Sequence, residues 1–369
     1  MLSSSLAPVV FAAAVQATTH HIIVGSAQVD TLFTLEYDDS TSDFSLLANI
    51  SVPSAHQWLT FSHDKKNLYG TGDASTMQIV SYTVENATSL IYNTTNMIGT
   101  CATTTVHAEA LQVEPYGVYG VSYGSGSNCG GVAEVDERGV IIASIQNYTY
   151  ASASSLHGNG FHPSGDYLYT ADMGTKAVWT HKVDRTTGAV SFVSQGNYTG
   201  GSPRHVVAHP SGKYAYAMTE SSSEVVLYNI DNSTGAASFS GTAYGIVPAN
   251  SSGTHRGETA RVSKSGTLLY ATTRANSSDP AAIDGFVSGF TLDTEGNILS
   301  QDFIEATTTG GGTSNMVVPA IWDDNLFVII DAIDGNVEMW QRADDGASAA
   351  KIASVPLGVE HLMSGLWYD

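Results

Sequence analysis

The sequence predicts an all-β fold: a seven-bladed β-propeller of four-stranded antiparallel blades, with the ring closed by strands from the N- and C-termini. Three observations predict it: a composition of strand and turn formers, a strand–turn–strand unit that recurs at a period near fifty, and a strand-like segment at each end. The chain has 369 residues with 36 Gly and only 13% charged residues. Ser, Thr, Tyr, Val and Gly dominate, and long Glu/Lys-rich helical stretches are absent, so many short strands and turns are expected.

The clearest copy of the unit runs from Pro203 to Glu220. Val206, Val207 and Ala208 form an apolar run, His209-Pro210-Ser211-Gly212-Lys213 supplies turn chemistry, and Tyr214 to Met218 form a second strand. Further copies are Phe61–Tyr69, Phe161–Tyr169 and Val262–Tyr270, with weaker ones at Val113–Tyr119 and Ile321–Phe327. The aligned aromatics Tyr69, Tyr119, Tyr169, Tyr216, Tyr270 and Phe327 are spaced 50, 50, 47, 54 and 57 residues apart. That spacing is the signature of propeller blades. Segments such as Val225–Ile230 and Phe286–Leu292 fit the outer strands. Six units are visible, and His20–Ser26 with Gly365–Asp369 supplies one more. Pairing the two ends removes exposed sheet edges. Seven is the favoured count, with six and eight its neighbours. A single domain is expected over 18–369, since no linker or composition break interrupts it.

Met1–Ala17 reads as a secretory signal: Leu6–Val15 is apolar and Val15-Gln16-Ala17 places small residues at the cleavage positions. An apolar run of about ten residues is roughly half a membrane span, so no membrane anchor is expected. Eight Asn-x-Ser/Thr sequons, at Asn49, Asn86, Asn93, Asn147, Asn197, Asn232, Asn250 and Asn276, agree with export and N-linked glycans. Cys101 and Cys129 are expected to pair in an oxidising compartment, two buried thiols being the alternative. Such a bridge contributes on the order of 3 kcal/mol. The expectation is a secreted glycoprotein of the medium or cell wall.

The formal charge of −21, with Lys and Arg totalling 14 and forming no basic cluster, disfavours nucleic acid and anionic membranes. An anionic small molecule can bind only where the scarce arginines gather. Arg204 stands ahead of its hairpin and Glu220 after it, which brings a guanidinium and a carboxylate to one rim; a plain salt bridge is the equal alternative. Equivalent positions in other units hold His157, Asp172, Arg256, Arg274 and Asp331, with Glu258 close by. One mouth is therefore expected to collect His157, Asp172, Arg204, Glu220, Arg256, Arg274 and Asp331. Three arginines at one place favour a bound carboxylate. Gly120-Val121-Ser122-Tyr123-Gly124 matches G-x-S-x-G, but a nucleophile elbow needs a following helix. The 12 histidines show no metal-site spacing, so no metal is expected.

Pro203-Arg204-His205 with His209-Pro210 and Glu220 resembles the seven-bladed lactonase propeller family, which includes bacterial 6-phosphogluconolactonases. Within it the sequence is more similar to the fungal carboxy-cis,cis-muconate cyclases. Trp58-Leu59-Thr60-Phe61, His157-Gly158, Tyr167–Asp172, Val178–His181, Arg274-Ala275-Asn276, Gly311-Gly312 with Ser314-Asn315, and Trp367-Tyr368-Asp369 carry the likeness. The resemblance implies a cofactor-free addition of one carboxylate across a conjugated double bond, giving a lactone. It implies His157, Arg204, Arg274 and Glu220 as the site, with Arg256 nearby. The arginines would clamp carboxylates, and His157 or Glu220 would donate the proton, His157 being favoured. The chain departs from the cyclases in its export signal, its cysteine pair, the loop around His107, and Thr313 where they carry a histidine. These departures leave two alternatives open: a lactonase acting on another lactone, or a non-catalytic secreted binding, adhesive or antigenic glycoprotein.

Overall fold

A computed structural model describes residues 18–72, 75–101, 103–124, 128–251, 253–277 and 282–369. The leader expected over Met1–Ala17 lies outside the described residues. Among those residues the chain forms seven four-stranded antiparallel sheets arranged as propeller blades. Six blades are continuous in sequence, at 59–97, 105–149, 156–197, 203–245, 255–306 and 315–356. Each fifty-residue unit of the sequence becomes one blade. The remaining blade takes three strands from 19–51 and its innermost strand, Leu362–Trp367, from the other end. Ile23 lies opposite Leu366 in that closure. The third strands Glu224–Ile230 and Phe286–Leu292 each have one further strand outside them.

The blades stack face to face, and the core lies between them. One seam packs Tyr169, Ala171 and Val178 of one blade on Val206, Ala217 and Tyr228 of the next. Another packs Ile22, Val24 and Trp367 on Val328 and Ile330, so burial of apolar surface holds the two ends of the chain together. Innermost strands approach so closely that some positions exclude any side chain. A Cβ on Gly257 would sit 2.2 Å from the Thr219 carbonyl oxygen, and one on Gly160 would sit 2.5 Å from that of Val206.

The repeated tyrosines explain why the unit is so legible. Tyr69, Tyr119, Tyr169, Tyr216 and Tyr270 lie on second strands with their rings buried. Each hydroxyl reaches the following blade and donates to a loop carbonyl there. The acceptors are Gly139 (2.6 Å), Gly188 (2.7 Å), Gly235 (3.0 Å), Gly296 and Asp324 (2.8 Å), respectively. Each tyrosine thus fills a core and ties two blades together. Phe327 holds the equivalent place in the last blade and has no hydroxyl to give. Tyr169→Phe is expected to lower stability by about 1 kcal/mol through loss of one buried hydrogen bond. The shift in urea midpoint measures this, and an unchanged midpoint would show that the hydroxyl contributes nothing.

Cys101 and Cys129 form a disulfide that closes the loop leading to the innermost strand Thr105–Ala110. Seven of the eight sequon asparagines are exposed. Asn93 is half-buried and bonded to Thr83.

Candidate active site

The innermost strands share a device that the sequence does not announce. Where the strands Thr105–Ala110, Leu156–Phe161 and Pro203–Ala208 enter their sheets, the register slips by one residue. The extra residues are Val106, His157 and Arg204. The strand His255–Val262 slips across Glu258 and Thr259, and Leu362–Trp367 slips at Met363. A bulged residue is left out of the ladder and its side chain is re-aimed. Val106, His157, Arg204, Glu258 and Met363 all line one cavity of about 240 Å³ at the channel mouth. Arg204 therefore sits within its strand rather than ahead of it, and the bulge turns it toward the axis.

Arg204 is 3% exposed, and two carboxylates hold it. Its Nε lies 3.2 Å from Glu220 Oε2, and its Nη1 pairs with the Glu258 carboxylate and donates to the Glu258 carbonyl at 2.8 Å. Glu258 also accepts from Ser314 Oγ at 3.1 Å. Glu220 follows the strand Tyr214–Thr219, and its amide donates to the Ser202 carbonyl at 2.8 Å, which fixes it beside the start of its own hairpin. The Arg204–Glu220 pair closes the hairpin, and its arginine lines the cavity.

Arg274, at the end of the strand Leu268–Ala275, donates through Nη2 to Glu220 Oε2 at 3.0 Å and through Nη1 to the Thr313 carbonyl. Arg256 lies opposite Arg274 in the ladder, on the rim, with Nη1 3.7 Å from Glu220 Oε1. One carboxylate thus serves three guanidinium groups. Thr313 itself bonds through its hydroxyl to His361 Nδ1 at 3.0 Å.

His157 is buried with its Nδ1 free of any hydrogen-bond partner among the described residues. Its ring meets the edge of Tyr123 at 5.5 Å and of His205 at 4.9 Å. Trp58, which lines the same cavity, packs on His107 at 3.9 Å and on His205, another lining residue, at 5.1 Å. Burial, then the Arg204 and Arg274 charges, hold the His157 imidazole well below its ordinary range. Burial and nearby arginines do the same to His107 and His205. All three rings are neutral near pH 7.

The structure brings together His157, Arg204, Glu220 and Arg274, with Arg256 at the edge. It removes Asp172 and Asp331 from the mouth. Asp172 accepts from the Ser155 and Gly174 amides at 2.8 and 2.9 Å and from the Trp179 indole at 2.9 Å. It follows its tyrosine by three residues, where Glu220 follows by four, so strand alternation turns it to the other face. Asp331 accepts from Thr309 Oγ1 at 2.7 Å and from the Ile333 amide at 2.8 Å, which bends it into its own turn. Glu258, which the sequence placed only close by, lines the mouth as well. It precedes Tyr270 by twelve residues, as Arg204 precedes Tyr216 and His157 precedes Tyr169, so the repeat register marks it.

Residues 21–313 match the family model described as lactonase, 7-bladed beta-propeller. The chain belongs to the seven-bladed lactonase propeller family. The carboxy-cis,cis-muconate cyclase of Neurospora crassa is 28% identical over 374 residues, covering 95% of this chain and 99% of that one. Muconate cycloisomerase 1 of Cutaneotrichosporon cutaneum is 24% identical over 216 residues, covering 52% of this chain and 55% of that protein. Among solved structures, the periplasmic gluconolactonase PpgL of Pseudomonas aeruginosa superposes with a TM-score of 0.78 at 14% identity, covering 95% and 99% of the two chains. At that identity the likeness concerns the fold. In this lactonase-family propeller, no group of three or more His, Cys, Asp or Glu side chains is placed to hold a metal ion among the described residues.

Proposed function

We propose that this chain is a cofactor-free cycloisomerase that closes a muconate-type polycarboxylate into a lactone. The observation that carries this reading is the meeting of Arg204 and Arg274 on Glu220 in a pocket that also holds His157. A carboxylate oxygen of the substrate attacks the carbon β to a second, conjugated carboxylate. The displaced electron pair moves onto that carboxylate as an enediolate, and a proton then adds to carbon. The substrate trianion takes up this one proton to become the lactone dianion, and the corresponding free acids are isomers, so no other reactant enters the balance. The two arginines clamp the carboxylates and stabilise the charge that develops on the enediolate.

His157 supplies the proton. At rest burial, reinforced by the Arg204 and Arg274 charges, keeps it neutral. A polyanion seated between them offsets their charge and raises the ring's affinity for a proton, so binding itself loads the acid. Glu220 touches the three arginines and positions them. The likeness to a muconate cyclase over nearly the whole chain supports the same reaction class.

Purified protein mixed with 3-carboxy-cis,cis-muconate should remove the ultraviolet absorbance of the conjugated diene, and Arg274→Ala should not. No loss of absorbance would overturn this reading. Lactone hydrolysis at the same mouth is the second reading, favoured by the family match. Acid release from a panel of lactones, with the diene left untouched, would select it. We further place the protein outside the cell, on the strength of the Met1–Ala17 leader and the exposed sequons. A mass decrease on treatment with an N-glycosidase tests the glycans.

Glu220 also competes with the substrate, because it already occupies the arginines that a carboxylate needs. Glu220→Gln keeps the shape and removes the charge. It should tighten binding of tricarballylate, an unreactive tricarboxylate, by about tenfold, or about 1.4 kcal/mol. Calorimetric titration reads this directly, and weaker binding would show that Glu220 only orients the arginines.

A further inference from the structure

Further along the channel lies a second compartment of about 220 Å³, which shares no lining residue with the mouth. Its walls are the far halves of the innermost strands and the turns that follow them, and include Glu109, Gln112, Asn159, His162, Val207 and Arg261. Trp58, His107 and His205 form the layer above it, and the Arg261 guanidinium lies 4.9 Å from the Trp58 ring centroid.

Arg261 differs from every other arginine in the chain. Arg138, Arg185, Arg204, Arg256, Arg274 and Arg342 each have a carboxylate oxygen within 4.0 Å. Arg261 has none among the described residues, and none of its N–H groups has a hydrogen-bond acceptor there. A guanidinium carries five N–H donors and cannot discharge itself by losing its proton. In a chain of net charge −21, one of seven arginines stands inside the channel with no carboxylate in direct contact, and Glu109 and Glu258 act on it only at longer range. Glu109 lines the same compartment, makes no ion pair with Arg261 within 4.0 Å, and likewise has no hydrogen-bond partner among the described residues. The two side chains flank a space and leave it for a third group.

We propose that this compartment is a second binding site, separate from the mouth, for a small carboxylate anion held between the Arg261 guanidinium and the Glu109 carboxyl. Arg261 provides the charge and paired N–H donors that suit a planar carboxylate. Burial pushes the Glu109 carboxyl up to about 7, against the pull of Arg261, so near neutrality a large share of it carries the proton and can donate to the anion. His162 is the other titratable group on the walls, held at Ser164 and the Gly212 carbonyl. Across the layer, the Arg261 charge reaches His107, His205 and Glu258. An anion beside Glu109 raises that carboxyl further, so binding draws in a proton at and above pH 7. The proposal does not rest on the reaction proposed for the mouth.

Acetate is the probe, titrated calorimetrically into Arg274→Ala, in which the mouth has lost one of its clamps, and into Arg274→Ala/Arg261→Gln. The first should bind acetate, and the second should bind about tenfold or more weakly, the usual effect of removing a charged hydrogen-bond donor. Equal binding by the two, or no binding by the first, would overturn the proposal while leaving the diene assay of the mouth untouched. Circular dichroism checks that the double variant folds. If it does not, Glu109→Gln in the Arg274→Ala background decides. Acetate binding at pH 7.5, measured in two buffers of different ionisation enthalpy, should show proton uptake with Glu109 in place and none in the Glu109→Gln variant. Uptake that survives Glu109→Gln would overturn the assignment.

Discussion

Arg274→Ala is expected to lower turnover of a muconate-type substrate by about 10²–10³-fold, the usual effect of removing one preorganised charge-stabilising donor. Arg274 is held on two sides, by Glu220 and by the Thr313 carbonyl, so its guanidinium is in place before substrate arrives. That preorganisation is lost with the side chain, and a lysine has no planar fork with which to restore it. The loss should fall mainly on kcat, because Arg204 and Arg256 remain to attract the polyanion. Stability should hold or rise. Arg274 lies close enough to Arg204 and Arg256 for its charge to oppose theirs, and removing it relieves that repulsion. A variant with wild-type turnover would sink the clamp. A variant whose melting temperature collapses would show instead that Arg274 is a structural ion-pair partner.

The blade count was legible because each unit repeats the same physical task. A buried tyrosine fills the seam and reaches the next blade, and a His-Pro-Ser-Gly type of turn follows from local chemistry alone. The arginine cluster was legible for a different reason: in a chain with so few cations, three that fall at the same rim of two neighbouring repeat units are conspicuous. Glu258 was named as close by but not assigned to the mouth, because a bulge of uncertain position decides which way a residue at the start of an innermost strand points, and period-two reasoning cannot place it. Asp172 was misplaced by the same weakness, since one residue of register reverses the face. The layer of Trp58, His107 and His205 comes from three different blades, so no local pattern joins its members. Sequence periodicity reports which strands exist. It does not report which side chains meet across the channel axis.

The protein is expected to lose stability steeply between pH 7 and pH 5, well above the range in which ordinary carboxylates titrate. Burial holds His56, His107, His157, His181 and His205 below the usual imidazole value, with His181 near 4. The unfolded chain takes up protons on these rings from about pH 6.5 downward, while the folded chain excludes them. Each excluded proton costs about 1.4 kcal/mol per pH unit below that point. Glu109 opposes the trend. Its folded value near 7 lies above its unfolded one, so it adds stability as pH falls from 7 toward 4.5. Several histidines outweigh one carboxyl, so the net effect is a loss of stability as pH falls toward 5. Calorimetric melting temperatures at pH 7.5, 6.5 and 5.5 should fall in that order, and a flat or rising series would mean that the rings are protonated in the fold. His181 packs on Tyr148, Tyr150 and Trp179 away from the mouth, so His181→Gln should reduce the slope by one proton without touching the site. A bound tricarboxylate should reduce it by one as well, because the anion that offsets Arg204 and Arg274 lets His157 take its proton inside the fold. Tricarballylate should therefore protect the wild-type chain more at pH 5.5 than at pH 7.5. The protection of a His157→Gln variant should show no such pH dependence.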